Sequence, residues 1–201
     1  MKAGLEIYVA HTAAKPPRRL VLKGDFTYPS RLCDSKVGTN AGVAMALFTF
    51  GYEGLSISEF IARLKKVGVR TVFDVRQLPL SRKKGFSKVA FGSALHEVGI
   101  VYAHLPVFGC PRPIRDRYKI ERDWTRYEKD FNAYLKTQSD AVAELANLAH
   151  KVNPCLVCFE ADFNSCHRSL VARATARSGG PRVIHLMSTA EIVDLVSRAV
   201  A

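Results

Sequence analysis

The triplet Cys166-His167-Arg168, with Glu160 six positions before it, is the densest concentration of reactive side chains in this sequence. A thiol, an imidazole, a guanidinium and a carboxylate together offer a nucleophile, two proton carriers and an anion ligand. With Asn164 or Ser165 as N-cap, the triplet occupies the first turn of a helix. Unpaired backbone N–H groups and the helix dipole there favour a thiolate at Cys166 and an anion beside Arg168. That anion is either the Glu160 carboxylate, which would make the pairing structural, or a ligand phosphate, sulfate or carboxylate. Neighbours on a helix diverge by about 100°. His167 is thus an awkward proton acceptor for Cys166, and nucleophilic catalysis is the bolder reading.

A second group of polar residues stands at the ends of apolar runs. Thr71-Val72-Phe73-Asp74 sets a carboxylate at the close of a strand-like stretch, where an unpaired charge is costly, and Arg76 points to the same face two residues on. The two form a structural pair, or one of them contacts a ligand. Tyr52 and Glu53 lie between Gly51 and Gly54, Ser81 and Arg82 open a basic loop, and His104 ends another apolar run. The expected catalytic residues are Glu160, Cys166 and Asp74. The expected ligand-binding residues are Tyr52, Glu53, Arg76, Ser81, Arg82, His104, His167 and Arg168.

These residues need a frame that brings them together. Short β-rich runs at residues 45–50, 69–75, 100–105, 154–159 and 182–187 alternate with amphipathic stretches, the pattern of a parallel sheet covered by helices. The expected fold is a single three-layer α/β domain, Rossmann-like or flavodoxin-like, whose mainly parallel sheet has about five strands flanked by helices. Ser56 or Ser58, Ser139 or Asp140, and Ser188 are candidate caps, the last for a final helix, and another helix is expected around Ser87 to Val98. Residues 106–122, with Gly109, Pro111 and Pro113, read as a long polar connection. Trp124, Tyr127, Phe131 and Tyr134 follow at helical spacing and read as core packing. Residues 1–44 are expected to be an N-terminal extension, irregular or in short strands, before a domain spanning 45–201. Ligands of such sheets bind beyond the carboxyl ends of the strands, where every polar cluster named above falls.

Composition narrows the function classes. Of five cysteines, Cys155 and Cys158 lie in a strand-like run, whereas a redox pair normally needs a helix start. Residues three apart on a strand face opposite ways, which sets aside a zinc site joining both with Cys166 and His167. No metal ligand set stands out, and no glycine-rich dinucleotide fingerprint follows the first strand, so neither metal, nicotinamide nor flavin is expected and the cofactor stays unassigned. No apolar stretch is long enough for a membrane span and none resembles a signal peptide, which predicts a soluble, cytoplasmic protein. The net charge is +12, and residues 76–126 hold eleven Lys and Arg against four acids. Such a block attracts phosphates, on a nucleotide or on a nucleic-acid backbone.

Several runs in combination resemble the DUF488 family. They are Phe50-Gly51-Tyr52-Glu53-Gly54, Asp74-Val75-Arg76 with Ser81-Arg82, Gly85-Phe86-Ser87-Lys88, His104-Leu105-Pro106, and Cys158-Phe159-Glu160-Ala161 with Cys166-His167-Arg168. The resemblance implies an α/β fold and a shared polar site, and it supplies no established reaction. Three functions stay open: an enzyme or anion-binding protein for a phosphate-bearing, nucleotide-like or nucleobase-like substrate, a nucleic-acid-binding protein without catalysis, and a regulatory or partner-binding domain. Oligomeric state is not legible.

Overall fold

The computed structural model describes residues 45–194 together with two short segments, β1 (Glu6–Ile7) and β2 (Leu20–Val21), which pair antiparallel. The rest of the expectation for residues 1–44 lies outside the described residues. The main sheet contains β3 (Ala46–Gly51), β4 (Thr71–Asp74), β5 (Val101–His104), β6 (Pro154–Cys158), β7 (Arg182–Leu186) and β8 (Glu191–Asp194). Its order is β5-β4-β6-β3-β7-β8, parallel except for β8.

Among the described residues six helices cover it: α1 (Ile57–Lys66), α2 (Lys88–Glu97), α3 (Arg112–Glu121), α4 (Trp124–Lys136), α5 (Ser139–Val152) and α6 (His167–Arg177). β3, β4 and β6 are buried at every position, because helices close both faces of a parallel sheet, and this is why their sequences read as continuous apolar runs. Strand alternation sends Phe48, Phe50, Val72, Cys155 and Val157 to one core with Phe60 and Leu64 of α1 and Phe91 and Leu95 of α2. Leu47, Phe73 and Leu156 go to the other, with Tyr127 and Phe131 of α4, Leu145 of α5 and Leu170 of α6. The aromatic stripe of α4 is core packing on this side, with Trp124 and Tyr134 partly buried.

Local signals fix the helix starts. Ser56 caps α1 in a reciprocal capping box, its hydroxyl accepting from Glu59 N while the Glu59 carboxylate accepts from Ser56 N at 2.7 Å. Two expectations are corrected. Residues 106–122 are not an extended connection: a 3-10 turn (Pro106–Phe108) leads into α3, whose first turn accepts Pro113 because N–H groups there have no helical partner to lose. In place of the start of a final helix capped by Ser188, Glu191-Ile192-Val193-Asp194 adds β8 as a sixth, antiparallel strand on β7. Asp194 fixes it there, accepting from Arg173 Nε at 2.7 Å and standing 3.0 Å from His185 Nε2.

The chain leaves β3 and β4 through α1 and α2 on one face and leaves β6 through α6 on the other. β6 lies between β3 and β4, so exits to opposite faces open a crevice at its carboxyl end. Among the described residues, no helix is long and apolar enough to cross a membrane.

Candidate functional site

The loop after β6 carries Glu160 over the end of β3, and glycine at position 51 makes this possible. A Cβ there would lie 1.7 Å from the Glu160 carbonyl oxygen and 2.5 Å from its carbon. Backbone bonds bind the two loops, from Tyr52 N to Cys158 O (3.3 Å) and from Glu53 N to Phe159 O (2.9 Å). The Glu53 carboxylate accepts from Ala161 N at 3.0 Å. From α6, the fully buried Arg168 guanidinium donates to the carbonyls of Glu160 and Ala161. Arg168 is therefore a clamp on the loop; it does not meet the Glu160 carboxylate and does not line the cleft.

The N-cap of α6 is Cys166, not Asn164 or Ser165. Its backbone is extended (φ −133°, ψ 135°), so the helical divergence expected between Cys166 and His167 does not apply and both side chains turn to the same place. There they meet Cys158 and Glu160, with one potential ligand atom from each of the four residues lying within 4.8 Å of the others. The Cys158 thiol donates to Glu160 Oε2 at 2.9 Å and lies 3.7 Å from His167 Nδ1. Cys166 Sγ is 3.0 Å from the same carboxylate oxygen. His167 Nε2 donates to the Val75 carbonyl at 3.0 Å, which aims Nδ1 at the sulfurs.

Burial and mutual charge set the protonation of this group. Burial pushes the Cys158 thiol well up, and hydrogen bonding and charge from Cys166 push it further. Burial acts the same way on Cys166, but the Cys158 hydrogen bond, the Arg168 charge and His167 override it and hold Cys166 well below the ordinary thiol range. Burial and the Cys166 charge raise Glu160. Burial alone would lower His167, and the hydrogen bond and charge of Cys166 reverse that.

Above the quartet opens a cleft of about 510 Å³ whose floor includes Cys158, Glu160 and His167. Arg82, Lys83 and Arg115 lie on its rim, and Tyr118, Trp124 and Tyr127 form an aromatic wall. Neither Arg82 nor Arg115 makes a side-chain hydrogen bond or ion pair among the described residues, and the buried Gln77 Oε1 in the wall has no partner.

The structure thus brings Tyr52, Arg76, Ser81, Arg82, Glu160 and His167 to the cleft, with Cys166 directly behind Glu160. It leaves out Asp74, Glu53, His104 and Arg168. Asp74 is 0% exposed, saturated by the Arg76 guanidinium and by Tyr102 Oη at 2.7 Å, so a catalytic role gives way to a structural ion pair. Burial alone would lower Arg76, and Asp74 more than reverses this, so its charge is already matched within the protein. His104 is buried with Nε2 2.8 Å from the Arg76 carbonyl, and burial lowers its pKa. Sequence reasoning missed Cys158, Arg115 and the aromatic wall. For Cys158 a signal existed, because residues two apart on an extended segment share a face, and Glu160 is two positions on. In sequence, a zinc site presents itself only as Cys155 and Cys158 together with Cys166 and His167, and His104, Glu160 and His167 are not compellingly spaced. Alternation does separate Cys155 from Cys158, but the fold gathers a different four.

The family model described as "Domain of unknown function DUF488" matches residues 56–175. No curated protein and no solved structure matches the chain.

Proposed function

The chain belongs to the DUF488 family, and from its site we propose an enzyme that binds a phosphate-bearing, nucleotide-like or nucleobase-like substrate in the cleft and acts on it with the quartet below. One observation carries this reading: two cysteine sulfurs, a carboxylate and an imidazole converge on the floor of a cleft rimmed by unpaired arginines. A backbone binder has no need of such a floor. Perturbed, clustered titratable groups at a switch-point crevice are the usual mark of a reactive site.

The walls fit the proposed substrate class. Arg82 and Arg115 supply the forked donors that phosphate oxygens take. Trp124 stacks on Tyr127 with ring centroids 4.8 Å apart, offering a flat face to a planar ring, and the orphaned Gln77 Oε1 accepts from a ring amine or amide. A cleft of about 510 Å³ holds a ligand of mononucleotide size. Glu160, raised and half-exposed, serves as proton donor or acceptor, and Cys166 supplies negative charge at the reacting centre.

Nucleic-acid binding ranks second because several of the basic residues are engaged in local ion pairs. Arg112 and Lys119 pair with Asp116, Arg117 with Asp130, and Arg126 with Glu121. Trp124 is the single tryptophan of the chain and lines the cleft, so its fluorescence reports occupancy. Titration with nucleoside mono- and diphosphates and with inorganic phosphate is expected to quench it saturably, and Arg82→Ala with Arg115→Ala to weaken binding by roughly 10-fold or more. No quenching by any of these, alongside steeply salt-dependent binding of DNA or RNA, would replace the reading with the second one.

A further inference from the structure

We propose that Cys158, Cys166, His167 and Glu160 form a site for one divalent transition-metal ion of the zinc class at the floor of the cleft. The four ligand atoms already lie within 4.8 Å of one another. Zinc–sulfur and zinc–nitrogen bonds of about 2.3 and 2.0 Å in a tetrahedron set a sulfur-to-nitrogen edge of about 3.5 Å. Cys158 Sγ and His167 Nδ1 are 3.7 Å apart. Two sulfurs and an imidazole select a borderline-soft ion over magnesium or calcium, which take oxygen ligands.

Three further features point the same way. His167 donates Nε2–H to the Val75 carbonyl, the outer bond that fixes a ligating histidine and presents its other nitrogen. Arg168 is 0% exposed and has no carboxylate partner among the described residues. Two thiolates, one carboxylate and a neutral imidazole around a divalent ion leave a net charge of −1, which Arg168 offsets. Finally, Cys158, Cys166 and His167 are buried at the end of β6 and the start of α6, whereas Glu160 stands on the loop between them and is only partly buried. Three buried ligands and one that can yield to water or substrate are the arrangement of a catalytic rather than a structural zinc. A Cys158–Cys166 disulfide would leave the aimed imidazole and the carboxylate without a role.

The site stands whether or not the cleft binds a phosphate-bearing ligand, and its test needs none. The full chain, reduced and stripped with a chelator, is titrated with Zn²⁺ alone and with Co²⁺ as a spectroscopic probe. The expected result is one equivalent of tightly held metal, thiolate-to-cobalt charge-transfer absorption and the intense visible bands of a tetrahedral site. Cys158→Ser and Cys166→Ser should each weaken binding on the order of 100-fold or more, since even loss of an outer-shell partner costs 10–100-fold. Cys155→Ala, on the opposite sheet face, should bind as the wild type does. X-ray absorption of the zinc-loaded wild type should find two sulfur scatterers, a result that does not depend on the variants folding. Substoichiometric metal, a cobalt spectrum without thiolate bands, or a folded Cys166→Ser protein that binds like the wild type would overturn the proposal.

Discussion

Gly51→Ala places a methyl group where two backbones meet. Its Cβ would stand 1.7 Å from the Glu160 carbonyl oxygen, 2.5 Å from the carbonyl carbon and 3.1 Å from Ala161 Cα. All three neighbours are main chain, so no rotamer change relieves the overlap. The loop after β6 must retreat roughly 1.5 Å to restore ordinary contact. Overpacking of this kind destabilises by about 1–3 kcal/mol. The retreat also strains the Tyr52–Cys158 and Glu53–Phe159 backbone bonds and the Arg168 clamp, so the expected loss is at the upper end, about 3 kcal/mol. Glu160 moves with its backbone. A displacement near 1 Å in a reacting group lowers rate by about 100-fold, and metal and ligand binding should fall with it. Gly54→Ala is the comparison: φ is +79° there, but nothing lies within 4 Å of the added Cβ. Its strain of about 1–2 kcal/mol should leave the site intact. Urea unfolding gives the stabilities, and cobalt and Trp124 titrations give the site. If folded Gly51→Ala kept wild-type stability and bound metal and ligand normally, the close approach at β3 would not be what positions Glu160.

Two further outcomes follow from the clamp and from the edge strand. Arg168→Met should lose roughly 2–5 kcal/mol in urea unfolding, because the carbonyls of Glu160 and Ala161 lose their guanidinium donors; a loss below about 1 kcal/mol would mean that water replaces them freely. Burial alone would raise Asp194, but its hydrogen bonds to His185 and Arg173 hold it below the ordinary carboxylate range, so its contribution is present above about pH 4 and is lost as pH falls through its folded value. Burial lowers His185, so stability also falls as pH drops below about 6.5, where the unfolded chain takes up a proton first. Thermal melts across pH 7 to 2 should show the low-pH part of this decline, on the order of 1–2 kcal/mol, reduced in Asp194→Asn. Parallel curves for the two proteins would remove Asp194 as the tie that holds β8.

The sequence by itself determined the layers and the edge at which function gathers. Hydrophobic period and apolar run length are local properties, so the β3, β4, β5, β6 and β7 runs and the helices between them other than α3 were legible, as was the combination of motifs that marks the family. Glu160, Cys166 and His167 were legible as a group because they follow one strand. What the tertiary structure decided is which polar residues are satisfied inside the protein and which face open space. Asp74 and Arg76 bind each other, His104 is buried against a carbonyl, and Arg168 turns to carbonyls instead of an anion. No spacing rule distinguishes these from ligand contacts, because the distinction depends on what lies opposite. Cys166 turns to Cys158 and Glu160 because it is the N-cap in extended backbone, and the aromatic wall forms because α3 and α4 reach the crevice. Glu160 and Cys166-His167 thus owe their partnership to the backbone contacts of Gly51 and Arg168, two residues outside the cleft lining.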